Sequence, residues 1–180
     1  MFSYILLSNI INTMGCGSKG SCSSCNEDII TEHQCGDSKN QFIRKRILII
    51  CTGNSCRSQM AEGWLQSFDD RLEIYSAGTH PEKIINPFAV NVMAEVGIDI
   101  SFHYPKSIDK FVNESFDYLI TVCDNAKQIC PTFAGEVKNS LHIGFEDPAD
   151  AKGNDKEITE VYRKVRDQIR DELYKFFINL

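Results

Sequence analysis

The chain has 180 residues, 42% of them hydrophobic and 24% charged, with a net charge of −6 and a pI near 5.2. That profile is globular, with enough chain for its own core, and its acidic balance argues against a nucleic-acid binder. No apolar run reaches the roughly 18 residues of a membrane span, so no membrane role is expected.

Eight cysteines divide into two groups: Cys16, Cys22, Cys25 and Cys35 near the N-terminus, and Cys51, Cys56, Cys123 and Cys130 beyond it. Residues 1–12 are apolar at Ile5, Leu6, Leu7, Ile10 and Ile11, yet carry no positive charge and are interrupted by Asn9 and Asn12. No small-residue cleavage pattern precedes Cys16, so the stretch does not read as a secretory signal, and Met14 is an alternative start. The expected compartment is a reducing cytoplasm. Residues 15–40 are rich in Gly, Ser, Cys, Asn and Asp without apolar periodicity, so residues 1–45 read as a flexible or locally tied extension. Its four thiols, with His33 nearby, are of a type that suits a soft metal ion such as zinc. Their spacing fits no standard zinc module, however, and no metal site is assigned.

Residues 46–180 carry the folded pattern. The run Ile47-Leu48-Ile49-Ile50 predicts a strand buried on both faces. A loop over 51–56 leads into a helix marked by Met60, Trp64, Leu65 and Phe68. Residues 72–77 predict a second strand ended by Gly78, and residues 87–96 a helix opened by Pro87 and stopped by Gly97. A third strand is expected over 116–122 and a short fourth over 141–143. The last helix begins near Glu157, with Ile158, Val161, Val165, Ile169, Leu173 and Phe176 at helical spacing. Alternating strands and helices imply an α/β three-layer sandwich with a four-stranded parallel sheet flanked by helices. In such sheets ligands bind at the carboxyl ends of the strands, which brings Cys51 and Cys123 to one edge.

The segment Cys51-Thr52-Gly53-Asn54-Ser55-Cys56-Arg57-Ser58 places a cysteine, five residues and an arginine at a strand-to-helix turn. Loop amides and a helix N-terminus there favour a tetrahedral oxyanion, and an arginine grips two of its oxygens. The same positive field is expected to lower the Cys51 pKa, with Ser58 as a hydrogen-bond donor to the thiolate. Gly53 and Asn54 suit left-handed backbone angles. Cys56 reads as a small core-facing residue. A nucleophile that displaces oxygen needs a proton donor, and Asp147, held extended before Pro148, is one, with Glu146 the competing carboxylate.

These residues resemble the low-molecular-weight protein tyrosine phosphatase superfamily and, within it, the thioredoxin-coupled arsenate reductases. The resemblance rests on residues 51–64, on Tyr75-Ser76-Ala77-Gly78 and on Asp147-Pro148, and it covers about residues 46–180. It implies Cys51 as nucleophile, Arg57 as oxyanion ligand and Asp147 as general acid. Cys123 and Cys130 resemble the additional cysteine pair that separates the reductases from the phosphatases. The implied reaction is reduction of arsenate to arsenite through a Cys51–arsenic adduct and a Cys51–Cys123–Cys130 disulfide relay, regenerated by thioredoxin. The relay requires the 123–130 segment to move. A monomer with no tightly bound cofactor is expected.

The alternatives are a tyrosine or small-ester phosphatase and a non-enzymatic arsenite-binding thiol protein. The first has no use for Cys123 and Cys130, and the second none for Arg57 and Asp147. Some family members hold a potassium ion beside the loop. Asn54, Glu62 and Ser76 match part of that set, but the segment His103-Tyr104-Pro105-Lys106-Ser107 lacks the Thr/Asp pair and carries a positive charge of its own at Lys106.

Overall fold

The computed structural model describes residues 44–123 and 133–180; the thiols Cys16, Cys22, Cys25, Cys35 and Cys130 lie outside them. Strands β1 (Arg46–Cys51), β2 (Glu73–Gly78), β3 (Ser115–Thr121) and β4 (Glu136–His142) form one sheet in the order β2-β1-β3-β4. Every pairing is parallel. β1 is central, and Ile47, Leu48, Ile49 and Ile50 are completely buried, as an uninterrupted apolar run requires. Cys51 pairs with Gly78 at the carboxyl end of β2, and Cys123 lies two residues beyond β3. The sheet therefore delivers Cys51, Gly78 and Cys123 to one edge.

Among the described residues three helices flank this sheet, giving the expected α/β sandwich. Helix α1 (Arg57–Phe68) buries Met60, Ala61, Trp64 and Leu65. Helix α2 (Pro87–Glu95) is opened by Asn86, whose side chain accepts from the Phe88 amide, and is closed by Gly97 at φ 79°. Helix α3 (Asp155–Phe177) starts two residues before Glu157, because Asn154 and Glu157 form a reciprocal capping box. Its buried stripe is Tyr162, Val165, Ile169 and Leu173. Arg166 ties the helices together: it donates to the Val92 carbonyl (2.9 Å) and pairs with Glu95 (3.2 Å), while its own carbonyl accepts from the Trp64 indole (3.2 Å).

The fourth strand begins at Glu136, five residues before the start the sequence suggests. Its segment Glu-Val-Lys-Asn-Ser-Leu-His lies at a sheet edge with most of its side chains exposed. Such a strand is recruited by the backbone ladder of β3 and has no apolar run to announce it. Among the described residues, no helix is long and apolar enough to cross a membrane.

Candidate active site

The loop between β1 and α1 is moulded from outside. The carbonyls of Cys51, Thr52, Gly53 and Ser55 accept from the amides of Thr79 (3.2 Å), His80 (2.9 Å), Glu82 (2.9 Å) and Asn86 (3.0 Å). The Asn54 carbonyl accepts from the Gln59 side chain at 3.0 Å. Within a trans peptide unit the C=O and the following N–H point in opposite directions. Outward carbonyls at 52–55 therefore turn the amides of Gly53, Asn54, Ser55 and Cys56 inward. Helix α1 adds its N-terminus: Cys56 provides no side-chain cap and the first turn has no acidic residue, leaving the positive end open to an anion. Asn54 adopts φ 49°, the only positive φ at a non-glycine among the described residues. Gly53 has no such angle, so the left-handed expectation holds at Asn54 alone. Gly53 instead lies against the Glu82 side chain.

Cys51 is buried at the base of this loop. The orientation of the Asn54 amide follows from its partners: its Oδ1 accepts from the Lys106 backbone amide at 2.7 Å, so its Nδ2 donates to Ser58 Oγ and Ser76 Oγ, both at 2.8 Å. With Ser58 Oγ accepting from Asn54, its own proton is directed to Cys51 Sγ, 2.9 Å away. The Asn54 backbone amide donates to the same sulfur at 2.9 Å. Burial nevertheless pushes the Cys51 thiol up, against the Ser58 and Asn54 hydrogen bonds; Cys123 adds to the rise and Arg57 opposes it least. This reverses the expected lowering. The physical reason is that burial penalises the thiolate more than the two hydrogen bonds and the Arg57 charge together favour it.

Arg57 donates to the Asp147 carboxylate and to the Phe145 carbonyl (3.0 Å). Asp147 is extended (φ −79°, ψ 110°), as its place before Pro148 requires, and its second oxygen accepts from the Ala149 amide at 3.1 Å. Its carboxylate therefore stands at the rim of the loop. Glu146, the competing carboxylate, is 79% exposed and turns to Lys164 at 3.7 Å. Cys123 Sγ lies 3.4 Å from Thr52 Oγ1, within the loop itself, and Cys123 is as buried as Cys51. Cys56 faces the core, with Sγ 3.5 Å from the Tyr162 hydroxyl, and burial pushes both groups' pKa up.

Several contributors were not legible as site residues from the sequence. Gln59 braces Asn54 and reaches the Tyr104 carbonyl (3.2 Å) and the His103 ring (3.1 Å); its only signal is a polar residue in a helix turn that buries its neighbours. Thr52 is expected in the anion loop from the sequence; its hydroxyl contact with Cys123 is what the sequence does not announce. Gly78 abuts the loop so closely that an added Cβ would lie 2.6 Å from the Thr52 carbonyl oxygen.

The arrangement combines a buried thiol that receives two hydrogen bonds, a loop of inward amides, an arginine paired with a carboxylate, and a second buried thiol at the same edge of the sheet. Residues 46–180 match the family model described as low molecular weight phosphotyrosine protein phosphatase. The chain is 43% identical over 134 residues to an arsenate reductase of Halalkalibacterium halodurans, covering 74% of this chain and 95% of that protein. An arsenate reductase of Bacillus subtilis is 44% identical over 133 residues, covering 73% and 94% respectively. Among solved structures, an arsenate reductase in the oxidized state matches with TM-score 0.62 and 28% identity over 73% of this chain and 95% of that one. A low molecular weight protein tyrosine phosphatase from T. tengcongensis matches equally well, with TM-score 0.61 and 27% identity over 76% and 99%. A thioredoxin-dependent arsenate reductase of Corynebacterium glutamicum matches with TM-score 0.51 and 25% identity over 76% of this chain and 64% of that one.

Proposed function

The chain belongs to the low molecular weight phosphotyrosine protein phosphatase family, and on that premise we propose that it reduces arsenate to arsenite with electrons from its own thiols. The fold alone does not choose between reduction and ester hydrolysis, since solved structures of both kinds match it equally. The observation that carries the reading is Cys123, placed at the loop through Thr52 and buried beside the nucleophile's edge of the sheet. A phosphatase has no use for a second thiol there. The names of the similar curated proteins support the same choice.

Arsenate is a tetrahedral oxyanion, and the inward amides and the open N-terminus of α1 receive its oxygens. Its charge draws Arg57 from Asp147 to the anion, and the freed carboxyl takes up a proton. The Cys51 thiolate attacks arsenic while a hydroxyl oxygen leaves as water with the Asp147 proton, giving a Cys51–S–As(V) adduct. The Cys123 thiolate then attacks Cys51 Sγ. The S–S bond forms, the S–As bond breaks, and its electron pair stays on arsenic, which departs as arsenite. Two thiols have become one disulfide and As(V) has become As(III), so the two electrons balance. Cys130, outside the described residues, next attacks Cys123, releasing Cys51 and leaving a Cys123–Cys130 disulfide. Thioredoxin, as external dithiol, restores the pair in a reducing compartment, a role supported by the thioredoxin-dependent relative.

The test is arsenate-dependent NADPH oxidation with thioredoxin and thioredoxin reductase, run beside hydrolysis of an aryl phosphate. Turnover that disappears when thioredoxin is omitted is the expected result. Hydrolysis without arsenate turnover would overturn the reading in favour of a phosphatase.

A further inference from the structure

Glu62, the single acidic residue of α1, is turned inward: its side chain is 9% exposed. A buried carboxylate needs a compensating charge. Lys106 provides it, with Nζ 3.3 Å from Glu62 Oε2 and only 13% of its side chain exposed. The Tyr104 ring lies 5.2 Å from the same ammonium. Ser76 Oγ also donates to Glu62 Oε2 and accepts from Asn54 Nδ2. The chain of contacts thus runs Lys106, Glu62, Ser76, Asn54, Ser58, Cys51. It is closed from the other side by the Lys106 backbone amide on Asn54 Oδ1.

The resemblance would place a potassium ion among Asn54, Glu62 and Ser76, and the residues present do not fit one. Asn54 Oδ1 already accepts from Lys106 N and from Gln59 Nε2 (3.1 Å), using both lone pairs. An ammonium already stands on the carboxylate. Among the described residues, no buried side-chain nitrogen or oxygen is left without a partner. Other titratable groups near the pair are the His103 ring, which burial holds below the ordinary imidazole pKa, and Lys110, whose ammonium lies 5.5 Å from the Tyr104 ring.

We propose that the Lys106 ammonium is a built-in counter-ion that replaces a bound monovalent cation and holds the anion loop in shape through Glu62, Ser76 and Asn54. Lys106 is a positioning residue: it touches neither the nucleophile nor the anion. The inference rests on Cys51 being the loop's nucleophile, but not on arsenate being its substrate. It makes the protein indifferent to potassium. Removing the ammonium leaves the Glu62 carboxylate without its counter-charge, which a potassium ion from solution can then supply.

The experiment measures labelling of Cys51 by iodoacetate, read by mass spectrometry of its peptide, and the protection that inorganic phosphate gives. Full-length protein and Lys106→Met are compared in tetramethylammonium chloride and in potassium chloride at equal ionic strength. The parent should show the same phosphate affinity in both salts. Lys106→Met should lose about tenfold in phosphate affinity in tetramethylammonium, within the usual range of coupling between two sites. It should recover most of that in potassium, whereas Lys106→Arg should need no potassium. The double variant Lys106→Met/Glu62→Gln, with both charges removed, should not respond to potassium and covers the case in which the single variant fails to fold. Potassium dependence of the parent or of the double variant, or unaltered affinity of Lys106→Met in tetramethylammonium, would overturn the proposal. Because no arm uses arsenate reduction, a failure here is separate from a failure of the reductase reading. Absence of Cys51 labelling in the parent would instead count against Cys51 as nucleophile.

Discussion

Gly78→Ala should damage the active loop from a position that contributes no side chain to it. An added Cβ would sit 2.6 Å from the Thr52 carbonyl oxygen and about 3.0 Å from Asn54 Cβ. Contacts under 3.0 Å essentially do not occur, so the carbonyl must retreat by at least 0.4 Å, and by 0.8 Å to reach ordinary contact at 3.4 Å. The strand itself cannot yield easily, because the Gly78 amide donates to the Lys106 carbonyl at 2.7 Å and Gly78 pairs with Cys51. The displacement therefore falls on Thr52 and Asn54, which carry the Cys123 contact and the amide on Cys51 Sγ. Misplacement by about 1 Å costs roughly 100-fold in rate, so a shift of about half that size predicts a loss of about 10- to 50-fold in kcat/KM for arsenate. Overpacking should also destabilise the fold by about 1–3 kcal/mol, lowering the melting temperature by a few degrees. Steady-state kinetics with the thioredoxin system and a thermal melt would measure both. A variant within twofold of the parent, with an unchanged melt, would refute the claim that the Gly78 contact shapes the loop.

Other consequences separate the roles of the remaining groups. Asp147→Asn should lower kcat for arsenate by about 10²- to 10⁴-fold through loss of the proton donor. The same change removes a negative charge from the rim of the loop, so iodoacetate labelling of Cys51 at neutral pH should accelerate; slower labelling would refute an electrostatic effect of Asp147 on the thiolate. Cys51→Ser should abolish both arsenate reduction and aryl-phosphate hydrolysis. Cys123→Ser and Cys130→Ser should stop multiple arsenate turnovers and spare slow hydrolysis, and sustained thioredoxin-driven turnover of Cys130→Ser would break the relay as drawn. Arg166→Ala should destabilise the fold by about 1–3 kcal/mol in chemical denaturation, because the Val92 carbonyl loses its donor while Glu95 keeps Arg163. An unchanged denaturation midpoint would remove Arg166 as the tie between the helices.

What the sequence reveals of this protein follows the range over which each force acts. Ile47-Leu48-Ile49-Ile50 announces a central strand because burial on both faces leaves a continuous apolar run. Pro87 and Gly97 bracket α2 because helix ends are local chemistry. The strand at Glu136–His142 was legible only near its end, since an exposed edge has its pairing written in β3 rather than in itself. In the site, the Cys51–Arg57 spacing and the Asp147-Pro148 pair are short-range and were readable. The raised Cys51 pKa was not, because it depends on how completely the folded chain buries the sulfur, which the loop's own residues do not announce. The ammonium on Glu62 belongs to the same class: Lys106 is visible as a charge, but its partner emerges only when residue 106 folds back on helix α1.

The loop is shaped by main-chain bonds from residues 79–86, and this leaves its surroundings open to redesign. His80 contributes its amide to that wall and Lys83 and Ile84 continue its backbone while their side chains face solvent; Glu82 also gives its amide, but its side chain lies against Gly53. Substitutions there retain the peptide groups that mould the cradle, provided proline is avoided at His80 and Glu82, whose N–H groups are in use. A combinatorial library over His80, Lys83 and Ile84 would retune which anions, or which parts of a larger molecule, approach Cys51, leaving the reactive geometry beneath untouched.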